Sequence, residues 1–213
     1  MAPGQIIILN GAPRSGKSSI AAAIQEAFDG PWMSLGVDMV KERATPKRYQ
    51  PGIGPRPGGE RPDLEGLVVT LYAALYQSIA AHSRLGLNVV VDVGHHDAYS
   101  TPRHILADSA RRLAGLPVLF VGVRCPIDEI MARRKAAQHA GDETYLAGTD
   151  DDPVPEAVRR WQKAVHDPGV YDLEVDTSRS TAMQCAEAIR RHLANGPPPM
   201  AFDQLARRAV SED

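Results

Sequence analysis

An excess of either charge is missing from this chain: 24 Lys and Arg face 26 Asp and Glu, for a formal net charge of −2. A protein that coats nucleic acid or anionic lipid needs a cationic surplus, so neither is expected as a partner. Aromatic residues are scarce at 5%, and there are two cysteines, Cys125 and Cys185, without a C-x-x-C pair or metal-ligand spacing. That usage excludes a disulfide framework and a thiolate metal centre, and both residues read as buried reduced thiols. No run approaches the roughly 20 apolar residues needed to cross a bilayer, and no export signal opens the chain, so a cytoplasmic protein without a membrane partner is expected. No internal repeat is visible. The 213 residues, 43% hydrophobic, suit one α/β domain.

What is present begins near the N-terminus. Gly11-Ala12-Pro13-Arg14-Ser15-Gly16-Lys17-Ser18 has the form G-x-x-x-x-G-K-S. The β-branched run Gln5 to Asn10 before it reads as a buried strand. Ser18 to Phe28 after it, with Ile20, Ala23, Ile24 and Ala27 on one side, reads as an amphipathic helix. In that context the loop's backbone N–H groups and the helix N-terminus cradle an anion, Lys17 reaches β- and γ-phosphates, and the Ser18 hydroxyl is placed to ligate Mg²⁺. The pattern predicts nucleoside triphosphate binding by residues 11–18 and the adjoining Ser19, with ATP and Mg²⁺ as cofactors.

Further buried-strand signals lie at Trp32 to Val37, Asn88 to Val93, Pro117 to Val123 and Val170 to Val175. Helical patterns at Leu64 to Arg84, Thr101 to Leu113, Pro126 to His139, Val154 to Val165 and Thr181 to Leu193 separate them. Alternation of this kind predicts a parallel five-stranded sheet with helices on both faces, a three-layer P-loop NTPase fold whose ligands bind beyond the carboxyl ends of the strands. The domain is expected to span residues 1–195. Within it, the Pro/Gly-rich stretch 46–62 reads as an acceptor-side loop, and residues 196–213 read as a peripheral tail carrying a short helix.

Polar residues just after strands are the site candidates. Asp38, closing Gly36-Val37-Asp38, is placed to orient an acceptor hydroxyl and take its proton; its alternative role is to cap the short helix Met39 to Arg43. Asp92, ending Val89-Val90-Val91-Asp92, has the form of the carboxylate that supports Mg²⁺ beside Ser18, against an ordinary turn role. His95 and His96, next to it, are candidate substrate contacts; no third ligand at zinc spacing accompanies them. Arg133 and Arg134 open a polar segment, 133–152, that reads as a lid whose arginines close over the triphosphate, or else as a basic helix face paired with Asp128 or Glu129. Arg159 and Arg160 are reserves, and Arg124 either nears the phosphates or ties the sheet edge.

Together, Ile6 to Ser18, the GVD at Gly36 to Asp38, the VVVD at Val89 to Asp92, VGVRC at Val121 to Cys125 and VYDLEVDTS at Val170 to Ser178 resemble the chloramphenicol phosphotransferase-like proteins, of the nucleoside- and shikimate-kinase-like P-loop group. The likeness runs to about Leu193. It implies ATP-dependent phosphorylation of a hydroxyl on a small antibiotic, with Asp38 matching the acceptor-activating Asp and Lys17 and Ser18 the phosphate and metal contacts. Asp176-Thr177-Ser178 falls where such kinases place a loop near adenine, making Thr177 a nucleotide contact. The 46–62 loop and the His95-His96-Asp97 turn depart from the chloramphenicol enzyme, which leaves a larger acceptor, such as a nucleoside antibiotic of the capuramycin type, open. The partner expected is thus a hydroxylated small molecule; self-association is left open. A nucleotide-dependent switch acting on a protein partner, or a kinase of polynucleotide ends, stands as the alternative function.

Overall fold

The computed structural model describes residues 2–50, 61–142, 145–167 and 169–208. Five parallel strands form one sheet: β1 (Ile6–Asn10), β2 (Trp32–Ser34), β3 (Asn88–Val93), β4 (Val118–Arg124) and β5 (Leu173–Asp176), in the order β2-β3-β1-β4-β5. The central strand β1 is buried at every residue because both its faces are covered. Ile6 and Ile8 point into one core with Leu75, Tyr76 and Ile79; Ile7 and Leu9 point into another with Ile20, Ile24 and Ile189. That two-sided burial is why the strand carries no polar alternation.

The helices are α1 (Lys17–Ala27), α2 (Glu65–Arg84), α3 (Ile105–Arg112), α4 (Ile127–His139), α5 (Glu156–Ala164), α6 (Ala182–Asn195) and α7 (Ala201–Arg208). α1 and α6 cover one face; α2, α3 and α7 cover the other. The sheet, its direction and its helical layers match the sequence expectation.

Several elements differ from their sequence reading. β2 stops at Ser34, although Leu35 still donates from its backbone N–H to Val90 O at 2.9 Å. The segment expected as a short helix after Asp38 is a π-helical turn, Met39–Ala44. α3 is shorter than its pattern because Asp97 accepts from the backbone N–H groups of Arg103 and His104, holding the approach to the helix as a loop. The expectation that no segment has the apolarity of a membrane span fails for residues 62–84, with a mean hydropathy of 1.3 over their most apolar window. Those apolar residues face the core and a cavity instead. The acceptor-side loop falls largely outside the described residues; its flanks form short 3-10 turns at Lys47–Tyr49 and Pro62–Leu64.

The C-terminal segment is not peripheral in its packing. Ala201, Phe202 and Leu205 of α7 are buried in the core beside Phe120, whose ring meets that of Phe202 edge to face at 5.0 Å. Three prolines, Pro197 to Pro199, carry the chain back across the sheet, and Asp172 accepts from the backbone N–H groups of Met200 and Ala201.

Candidate active site

Strand β1 delivers the chain into the loop 11–16, and α1 starts at Lys17. Two residues of the loop, Arg14 (φ 69°) and Gly16 (φ 96°), are left-handed, a backbone alternation that turns successive N–H groups toward one concave side. A side chain at Gly16 would also meet Thr177 Cγ2 at 3.2 Å, so glycine serves there twice over. The Lys17 ammonium lies across the loop and donates to the carbonyls of Gly11 and Ala12, each at 2.9 Å. Burial lowers its pKa to about 8, against the opposing pull of Asp92 and Asp38. Ser18 Oγ donates to Asp92 Oδ2 at 2.8 Å. Asp92 is held there partly by what faces it: a Cβ on Gly36 would fall 1.8 Å from Asp92 Oδ1.

A cavity of about 1000 Å³ opens beyond the carboxyl ends of the strands. Gly11, Pro13, Arg14, Gly16, Lys17, Ser18 and Ser19 line it from the phosphate loop, and Thr177, Ser180 and Thr181 from the end of β5. Ala12 and Ser15 are buried beneath the loop; Ser15 O accepts from Thr177 Oγ1 at 2.7 Å. On the other side the lining is mostly aliphatic, from Val37 and Val40 and from Leu67, Val68 and Leu71 of α2, with the Asp38 carboxylate among them. The Asp38 side chain makes no capping bond to the turn that follows it, so its alternative role as a helix cap is not realised.

The two arginines expected at the opening of a lid stand within α4, inside the helical pattern read to His139. Residues 133–139 belong to α4, so irregular backbone begins only after that helix. Arg133 is tied down: it donates to Arg14 O, to Thr177 Oγ1 at 3.1 Å, to Thr177 O at 2.9 Å and to Glu129 at 3.1 Å. It therefore joins the phosphate loop to the Thr177 turn, and both residues line the cavity. Arg134 is buried, donates to Leu146 O at 3.2 Å and stacks toward Tyr145; its charge is felt by Lys17. Arg14 pairs with Asp142 and lies over the Tyr145 ring at 4.5 Å. Arg159 and Arg160 pair with Asp152 and Glu156 at the surface, and Arg124 ties β4 to β5 through Glu174 at 2.7 Å.

His96 lines the cavity, but His95 does not. The His95 ring turns inward, Nε2 lying 2.6 Å from Tyr76 Oη, and its backbone N–H donates to Asn10 Oδ1 at 2.7 Å. Burial, with His96 adjacent, pushes its pKa down to about 3, so it is a neutral core residue rather than a substrate contact. Residues next to each other on extended backbone point to opposite sides, which separates this pair.

Among the cavity residues that the sequence reading did not name are Tyr72 and Trp161. Tyr72 of α2 packs its ring 4.8 Å from that of His95; burial, Asp38 and Asp92 all raise its pKa. Trp161 of α5 reaches the cavity beside His96. Both sit at apolar positions of helical patterns, where nothing in the sequence separates a cavity wall from a core.

The family model of the chloramphenicol phosphotransferase-like proteins matches residues 4–194. The chain belongs to that family. It is 30% identical to Rv2636 of Mycobacterium tuberculosis H37Rv, provisionally named an O-phosphotransferase, over 99% of this chain and 92% of that protein. Among solved structures, an APS kinase from Mycobacterium tuberculosis bound to AMPPNP and APS superimposes with a TM-score of 0.56 at 17% identity, covering 92% of this chain and 100% of the other. A shikimate kinase from Acinetobacter baumannii bound to shikimate gives 0.57 at 14% identity, covering 91% and 94%. The fold is thus that of the P-loop kinases, and the chain is a phosphotransferase of the kinase type.

Proposed function

We propose that this enzyme transfers the γ-phosphoryl group of ATP to a hydroxyl of a small-molecule antibiotic, chloramphenicol-like or nucleoside in type, and so confers resistance to it. One observation carries the reading: a single cavity joins the phosphate loop to an apolar compartment holding the Asp38 carboxylate. An ATPase switch needs the first half of that cavity and has no use for the second.

In this reading Lys17 leaves the Gly11 and Ala12 carbonyls for the β- and γ-phosphates, and Thr177 with Arg133 closes the nucleotide side. Asp38 accepts the acceptor's proton as its oxygen attacks the γ-phosphorus and the bond to the bridging oxygen breaks, releasing ADP. Ser18 Oγ and Asp92 Oδ2, 2.8 Å apart, are hard oxygen donors of the kind and number Mg²⁺ takes from a protein. The ion supplies charge neutralisation on the phosphates when bound.

The test is a panel of hydroxylated antibiotics incubated with γ-labelled ATP and read by mass increase. A product should form in step with ATP consumed, and Asp38→Asn should keep nucleotide binding while kcat falls ~10² to 10⁴-fold, the usual worth of a positioned base. A change in acceptor affinity alone would make Asp38 a binding residue; ATP loss without any labelled product would sink the transfer reading.

A further inference from the structure

The attacking oxygen of a hydroxyl acceptor carries one proton and two lone pairs. In the transfer step the proton goes to Asp38 and one pair to phosphorus, which leaves the second pair for a donor on the cavity wall to hold. On the acceptor side that wall is mostly aliphatic, with Leu67, Val68 and Leu71 of α2. Tyr72, the next residue of the helix, brings a hydroxyl to it.

Its position is fixed by what surrounds it. Tyr72 packs against the core cluster yet remains partly exposed, and it lines the cavity. Its ring lies 4.8 Å from that of His95, whose Nε2 is 2.6 Å from Tyr76 Oη and whose backbone N–H donates to Asn10 Oδ1 at 2.7 Å. The phenol is thus braced just past the end of β3, the strand that carries Asp92. Asp38 and Asp92 both act electrostatically on the Tyr72 phenol, and the same two carboxylates act on the Lys17 ammonium. Lysine of the phosphate loop, the two carboxylates and the phenol therefore gather where the γ-phosphoryl group and its acceptor meet. Tyr99, a second phenol on the cavity, is acted on by Tyr72, Asp97 and Glu65 and belongs to a different cluster. Burial and the neighbouring carboxylates favour the neutral form of Tyr72, so it keeps its proton, while the Gly94 backbone N–H takes up a lone pair of its oxygen. What the phenol has left to offer is its O–H.

We propose that Tyr72 is a catalytic residue of the transfer step: its Oη–H donates to the attacking oxygen while Asp38 takes that oxygen's proton, holding the remaining lone pair in line with the γ-phosphorus. The new oxygen–phosphorus bond forms, the bond from phosphorus to the bridging oxygen breaks, and ADP leaves with the phenol unchanged. The inference rests on the transfer reading above and adds a residue to it.

Tyr72→Phe deletes the hydroxyl and keeps the ring that packs on His95. Calorimetry compares AMPPNP plus Mg²⁺ with ADP plus Mg²⁺ and aluminium fluoride, a complex in which a water molecule stands where the acceptor oxygen attacks, so no organic acceptor is required. The variant should bind AMPPNP as the wild type does and the aluminium fluoride complex about tenfold more weakly, the scale of one lost hydrogen bond. No loss, an equal loss for both ligands, or no aluminium fluoride complex with the wild-type protein overturns the assignment. With an acceptor found in the antibiotic panel, kcat should likewise fall about tenfold while the KM for ATP holds. A wild-type kcat sinks this inference and leaves the transfer reading standing. A weakened aluminium fluoride complex with no product from the panel sinks the antibiotic reading and leaves Tyr72 in its role.

Discussion

Lys17 makes two contacts, to the Gly11 and Ala12 carbonyls, that a triphosphate has to displace. Its pKa of about 8, lowered by burial, means the ammonium is lost as pH rises through that value in the nucleotide-free protein. Nucleotide affinity should therefore fall above about pH 8. Stability should move the other way between about 8 and 10.5, since there the unfolded chain holds a proton that the folded one has released. Calorimetric nucleotide titrations and denaturant melts across this window check both slopes, and Lys17→Met should flatten them while cutting transfer by ~10²-fold or more. The loop 11–18 was legible in the sequence because a phosphate-cradling loop demands adjacent residue types at fixed spacing. Tyr72 and Trp161 were not, since a cavity wall and a core wall obey the same helical period. His95 was misplaced for a related reason: adjacency in sequence says nothing about which of two neighbours turns inward.

At the scale of elements, the phosphate side depends on how closely β2 and β3 approach. Gly36 follows β2, and Asp92, one residue before the end of β3, has its carboxylate in the space a Gly36 side chain would fill. Gly36→Ala should therefore push Asp92 away from Ser18, leaving a folded protein that needs more Mg²⁺ and loses roughly 10–100-fold in activity, the range for disturbing a supporting ligand. Activity measured against Mg²⁺ concentration checks this; a wild-type Mg²⁺ response would separate Asp92 from the metal. The strands themselves could be read from composition because a doubly covered parallel strand is a plain apolar run. Their ends could not, since Leu35 keeps a ladder hydrogen bond without continuing β2. The helical pattern expected to end at His139 matches the end of α4; what it left unread is that Arg133 and Arg134, within that helix, anchor neighbouring backbone.

The whole molecule is completed by its last helix. Phe202 lies between Phe120 of the sheet and Tyr76 of α2, so α7 closes a core that the preceding elements leave open. Phe202→Ala should cost about 3–5 kcal/mol, the range for removing a buried aromatic ring, read as a shift of the denaturant midpoint with unchanged slope. A loss near zero would return residues 196–208 to the status of a tail. The sequence hid this role because Ala201 to Arg208 is short, highly charged and set apart by a proline run.

Asn10 gives the cavity its fixed frame. The side-chain amide of this one residue donates to Val165 O and Tyr171 Oη and accepts from the His95 backbone, so the end of β1, the turn after α5 and the loop below His96 are bound at a common point. Walls anchored to a shared pin do not travel independently. The cavity floor, from the end of β1 to the turn after α5, is thereby one connected unit.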